Sequence, residues 1–160
     1  MELEKGDIVA VYGKINLISL SIEFITRSPI SHVALVVDSK KKELIEANMN
    51  RKIGYRLLDD YKHHCVILRV PSLTDSQKDK IVEYAKNQIG DSYDFKALIE
   101  EFLRYTFNLN TLQPEDEKRF ICSTLVNASY LNAGVKLTDQ YLPSPRDIMK
   151  SPLVALVGHY

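Results

Sequence analysis

Short β-branched runs closed by turn residues dominate the first 70 positions, and helical spacings follow them. This segregation is the strongest constraint on the fold, because strands that neighbour one another in sequence pair most simply as antiparallel hairpins. Ile8-Val9-Ala10-Val11-Tyr12 reads as a strand ended by Gly13. Ser31 to Asp38 reads as a second and Glu43 to Asn48 as a third, joined by a Lys-rich turn into a hairpin. His64 to Val70 reads as a fourth, closed by Pro71, while Arg51 to Tyr61 between them reads as irregular, with Gly54 as a turn. The expected fold class is α+β, a mainly antiparallel sheet packed against helices.

The helical signals are equally local. Ile15, Ile18, Ile22 and Ile25 recur at helical spacing and are expected to pack into the core. Thr74-Asp75-Ser76-Gln77 has the form of a capping box, and the helix behind it carries Ile81, Val82, Ala85 and Ile89 before Gly90 stops it. Phe95 to Phe107 reads as a second amphipathic helix. A polar loop, Gln113 to Arg119, then leads to a helix with Leu125, Val126, Ser129, Tyr130 and Ala133 on one side and Gly134 at its end. Pro143, Pro145 and Pro152 frame a short helix at Arg146 to Met149, and Leu153 to Val157 reads as a last strand.

Composition excludes several classes of function. The 160 residues are 45% hydrophobic and 26% charged, with 21 basic and 21 acidic side chains, so no basic excess recommends a nucleic-acid partner. One domain spanning 1–160 is expected from the length. The most apolar early run, Ile15 to Ile25, is interrupted by Asn16, Ser19, Ser21 and Glu23 and falls short of the about 20 apolar residues that span a bilayer. The N-terminus has acidic residues where a secretion signal is basic, so a cytoplasmic location is expected. Cys65 and Cys122 do not make a disulfide scaffold, and no metal-ligand spacing is present, so neither metal nor cofactor is expected.

Four residues carry candidate chemistry. On this reading Cys122 stands at the first turn of its helix, where unpaired N–H groups and the helix dipole favour thiolate over thiol. A small buried hydrophobe is the alternative role for a lone cysteine. His32 is carried on a strand, which gives a general base a stiff support, although a structural histidine is equally at home there. Glu46 lies within apolar neighbours on the adjacent strand and therefore needs a partner, unless it points to water. His32 is the available partner, and a carboxylate accepting its Nδ1–H would fix the tautomer. Tyr93-Asp94 joins two helices: Asp94 can cap the second, and Tyr93 can pack or line a cleft.

Ser31-His32-Val33-Ala34, Ile45-Glu46-Ala47, Tyr93-Asp94-Phe95, Cys122-Ser123-Thr124-Leu125-Val126 and Ser144-Pro145-Arg146-Asp147-Ile148 follow one another in a telling order. Taken together the chain resembles the circularly permuted NlpC/P60 proteins, and within them the YiiX-like permuted papain-like amidases and cysteine peptidases. In that branch, which includes the lecithin:retinol acyltransferase-like proteins, His and acid precede Cys. The resemblance implies a papain-like fold and a cysteine hydrolase acting on an amide or ester bond. It implies Cys122 as nucleophile, His32 as base and then acid, Glu46 as the group orienting His32, and Tyr93 as a substrate-binding cleft residue. The implied substrate is a small molecule, a peptide or a lipid-linked amide. Acyl transfer and non-catalytic binding of an acyl or peptidyl ligand are the alternatives, and the segment Asn108 to Arg119 reads as a variable lid.

Overall fold

The computed structural model describes residues 2–12, 30–47, 53–90, 114–140 and 143–160, and of 114–121 the backbone alone. Six strands form one antiparallel sheet: β1 (Ile8–Tyr12), β2 (Ile30–Asp38), β3 (Glu43–Ala47), β4 (Ile53–Leu57), β5 (Cys65–Arg69) and β6 (Ala155–His159). Their order across the sheet is β4-β3-β2-β1-β5-β6. The expected α+β architecture is therefore present, completed by helices α1 (Asp75–Asn87), α2 (Pro114–Asn132) and α3 (Pro145–Met149). No helix among the described residues is long and apolar enough to cross a membrane.

Alternation along the strands divides the apolar side chains between two faces. Ile8, Ala10, Val33, Leu35, Ile45, Val66 and Leu68 join Ile81, Val82 and Ala85 of α1 and Cys122, Leu125, Val126 and Tyr130 of α2 in the main core. Val9, Val11, Ala34, Val36, Leu44, Cys65 and Ile67 form a second cluster with Leu58 on the other face. Burying a leucine- or valine-sized side chain contributes about 1.5–3 kcal/mol, so the sheet is held from both sides.

The helix ends are fixed by their own residues. Thr74 and Gln77 make a reciprocal capping box at α1, and Ser144 and Asp147 make another at α3, where Pro145 occupies the first turn. Each box satisfies donors that a helix start leaves unpaired. At the far end of α2, Gly134 takes φ +77°. The Val135 N–H reaches back to the Tyr130 carbonyl at 2.9 Å, which closes the helix in a Schellman turn.

Two sequence-derived expectations change. The stretch 53–61 is ordered as β4 followed by a 3₁₀ turn, Leu58–Tyr61, and Gly54 lies within β4 opposite Glu46. The pattern Ile53-Gly54-Tyr55-Arg56-Leu57 is an edge strand whose outer residues are exposed, which hides its alternation. The supposed polar loop before Cys122 is helical from Pro114, a residue well suited to a first turn. The tail helix begins at Pro145 and the last strand at Ala155, each slightly displaced from expectation. The helical stripe 15–25, the helix 95–107 and the segment 108–113 lie outside the described residues.

An ion pair ties the start of β1 to the end of β5, and a hydrogen bond beside it reaches α2. Asp7, 1% exposed, accepts two hydrogen bonds from Arg69, each 2.7 Å long. Beside it Gly6, at φ +86°, turns its carbonyl to the buried Tyr130 hydroxyl, which donates at 2.6 Å. Removing one member of such a pair strands a buried charge. Arg69→Met is therefore expected to lower the unfolding free energy by about 3 kcal/mol, as measured by urea denaturation; an unchanged midpoint would show that Asp7 does not depend on it.

Candidate active site

His32 and Glu46 come from adjacent strands. Leu35 pairs with Ile45 and Val36 with Leu44. Continuing that register sets Glu46 beside Ala34, with His32 one pleat further along the same face. Near His32 the β1–β2 ladder slips: Val11 pairs with His32 but Tyr12 pairs with Ile30. Ser31 is the extra residue, and its hydroxyl donates to the Val11 carbonyl at 3.3 Å. A bulge of this kind twists the strand and redirects the side chain beside it.

The result is a histidine held between two partners. His32 Nε2 lies 2.9 Å from Glu46 Oε2. The same ring makes a side-chain hydrogen bond with Cys122 of α2. With Nε2 committed to the carboxylate, Nδ1 is the nitrogen left for the sulfur. Sequence reasoning placed Nδ1 at the carboxylate; the structure places Nε2 there.

Cys122 itself sits two turns inside α2, because the helix begins at Pro114. It is 1% exposed. The expected support from a helix N-terminus is therefore absent: dipole effects fade beyond the first turn, and an N–H this deep is engaged by the carbonyl four residues back. What faces the sulfur instead is the His32 ring. Cys65, the other thiol, lies on β5 in the second apolar cluster, where burial pushes its pKa up to about 11. Neither cysteine is in a disulfide.

Glu46 is only 3% exposed, and a lone carboxylate there would be costly. It is not alone. The Tyr61 hydroxyl donates to Oε2 at 2.6 Å, and Arg56 Nε donates to Oε1 at 3.2 Å. Burial works to raise the Glu46 pKa, but hydrogen bonding and charge from His32, with Tyr61 and Arg56, outweigh it and the net pKa is lowered. Burial, and after it the Glu46 charge, hold the Tyr61 phenol well above its ordinary range. The Tyr61 and His32 rings stand 6.1 Å apart, tilted at 43°.

For His32, burial is the largest single influence and disfavours the imidazolium. The charge and hydrogen bonds of Cys122 and Glu46 together reverse it, raising the pKa to about 10. A proton bound this firmly contributes to folding stability with a definite sign. The contribution is complete below the ordinary imidazole value of 6.5 and is lost as pH rises towards about 10.

Of the four residues singled out from sequence, the structure brings together Cys122, His32 and Glu46. Tyr93 lies outside the described residues. Arg56 and Tyr61 were missed because their segment reads as irregular. The available signal was the need of Glu46 for a partner, since its neighbours on the next strand include the Arg56 guanidinium.

A cysteine on a helix meeting a histidine and an acid on an antiparallel sheet, in the chain order His, Glu, Cys, defines a permuted papain-like architecture. The sequence model of the permuted papain-like amidase family YaeF/YiiX, C92, matches residues 2–152, and the chain belongs to that family. The solved structure of the metalloprotein yiiX from Escherichia coli O157:H7 has a similar fold, with a TM-score of 0.69 at 21% identity. The match covers 100% of this chain and 99% of that one. No curated protein matches the sequence.

The His32 proton can be followed directly by NMR of its imidazole nitrogens. Glu46→Gln is expected to lower the His32 titration midpoint by at least about one pH unit, since a charged partner is replaced by a neutral one. An unmoved midpoint would show that Glu46 does not govern this proton.

Proposed function

We propose that this chain is a cysteine-dependent amidase or peptidase with Cys122 as nucleophile, His32 as acid and base, and Glu46 orienting His32. One observation carries the reading: a single imidazole bridges Cys122 and a buried carboxylate. Membership of the permuted papain-like amidases supports it.

The steps follow from where the proton sits. With the proton on His32, the Cys122 sulfur is a thiolate and attacks the substrate carbonyl carbon. As the tetrahedral intermediate collapses, the C–N bond breaks and His32 passes its proton to the leaving amine. The neutral imidazole then takes a proton from water, whose oxygen attacks the thioester. The C–S bond breaks, releasing the acid and restoring the thiolate with His32 protonated. Throughout, Glu46 offsets the imidazolium charge and holds the ring in its plane. Because the Cys122 N–H is committed within α2, the donor to the developing oxyanion comes from another part of the cleft. We assign Tyr93 a substrate-binding role, as the family resemblance implies.

The yiiX neighbour is described as a metalloprotein. Among the described residues here, no group of three or more His, Cys, Asp and Glu side chains could hold a metal ion. Both Glu46 oxygens are already taken by His32, Tyr61 and Arg56. These described side chains do not make a metal site, and no step above uses one.

The amide-bearing substrate is a small molecule, a peptide or a lipid-linked amide, and a thioester at Cys122 is equally the starting point for transfer to another acceptor. Adding an amine or alcohol during turnover distinguishes the two, since only a transferase diverts most of the acyl group from water. Cys122→Ala is expected to reduce turnover of an amide or activated ester by at least about 10³-fold while the fold persists. Full turnover by that variant would sink the proposal.

A further inference from the structure

The side chains around Glu46 go beyond what a histidine-orienting acid requires. Its carboxylate accepts from three elements: His32 on β2, Arg56 on β4 and Tyr61 on the 3₁₀ turn. Behind these, Arg56 also pairs with Asp60 at 3.5 Å, and His32 also meets Cys122. Tyr61 and His32 share one oxygen, Oε2, while Arg56 pins the other. The carboxylate thus has no freedom to rotate away from the imidazole without breaking a second contact.

The supports are themselves anchored. Leu58, fully buried, fixes the 3₁₀ turn, and its N–H donates to the Lys42 carbonyl at 2.9 Å. Lys42 Nζ donates to the Tyr160 hydroxyl at 2.6 Å, and Tyr160 in turn bonds Asp59 of the same turn. Arg56 lies on β4, which is paired with β3 along five residue pairs from Glu43↔Leu57 to Ala47↔Ile53.

We propose that Tyr61 and Arg56 are positioning residues that keep the Glu46 carboxylate ionised and aimed at His32 Nε2, and so set the acid edge of Cys122 reactivity. This rests on the nucleophile reading above. If Glu46 gains a proton, the imidazolium loses its counter-charge. The proton on His32 then returns to the sulfur, giving an unreactive thiol beside a neutral imidazole. Each donor removed from Glu46 makes that protonation easier, because burial is left less opposed. Neither residue touches the reacting atoms; each acts through Glu46.

The test needs no substrate. The rate of Cys122 alkylation by iodoacetamide is followed against pH by peptide-resolved mass spectrometry, which separates Cys122 from Cys65. Tyr61→Phe keeps the ring, and Arg56→Gln alters a half-exposed side chain on an edge strand, so both are expected to fold; circular dichroism checks this. Each variant should move the acid edge upward by about one pH unit, the size expected for one hydrogen bond to a charged group. The double variant should move it further. In a Glu46→Gln background, Tyr61→Phe should leave the edge where Glu46→Gln alone puts it, because residues that act through one group are not additive. A Tyr61→Phe profile that overlays the unaltered protein, or a shift that persists in the Glu46→Gln background, overturns the inference. If instead Cys122 of the unaltered protein reacts no faster than a model thiol at neutral pH, the nucleophile reading itself fails.

Discussion

A negative charge buried in the sheet is the constraint on which the site depends. Glu46 is nearly inaccessible, so its ionised form exists only while donors surround it. Those donors come from β2, β4 and the 3₁₀ turn, elements on both sides of β3 in the sheet. Strand register, and not loop conformation, therefore fixes the chemistry. A slip of one residue between β2 and β3 would send Glu46 to the opposite face and leave His32 without a counter-charge.

The second requirement is that α2 deliver a sulfur to the free side of that imidazole. The packing of Leu125, Val126 and Tyr130 against the sheet, with the Tyr130 hydroxyl on the Gly6 carbonyl, holds the helix in register with β2. Because Cys122 is two turns inside α2, the helix dipole gives it little help. In the proposed mechanism the imidazolium of His32, backed by Glu46, is the counter-charge to the attacking sulfur. That dependence explains why a carboxylate supported by three donors is present where a neutral amide would suffice merely to orient a ring.

Much of this was legible in the sequence, for identifiable reasons. The hairpin of β2 and β3 could be read because its strands are β-branched and its turn is polar, and it carried His32 and Glu46 to adjacent positions. The core stripe of α2 and both capping boxes were equally local signals. β4 was not legible: as an exposed edge strand it alternates Gly, Tyr and Arg with only modest apolarity, so periodicity failed where burial was absent. Arg56 and Tyr61 were lost with it. The start of α2 was misplaced because Glu115, Asp116, Glu117 and Lys118 look like a loop, although charged residues after a first-turn proline begin a helix as readily. That Nε2 faces Glu46 is a property of how the strands pair and cannot be seen in one strand.

The central claim is that Cys122 forms a covalent bond to the substrate acyl group under the control of His32 and Glu46. The most direct measurement is peptide-resolved mass spectrometry of protein quenched in acid during turnover of an activated ester such as a p-nitrophenyl ester. The account predicts an acyl group on Cys122, none on Cys65, and slower accumulation when His32 is replaced. Sustained turnover with no acyl group on Cys122 would contradict it.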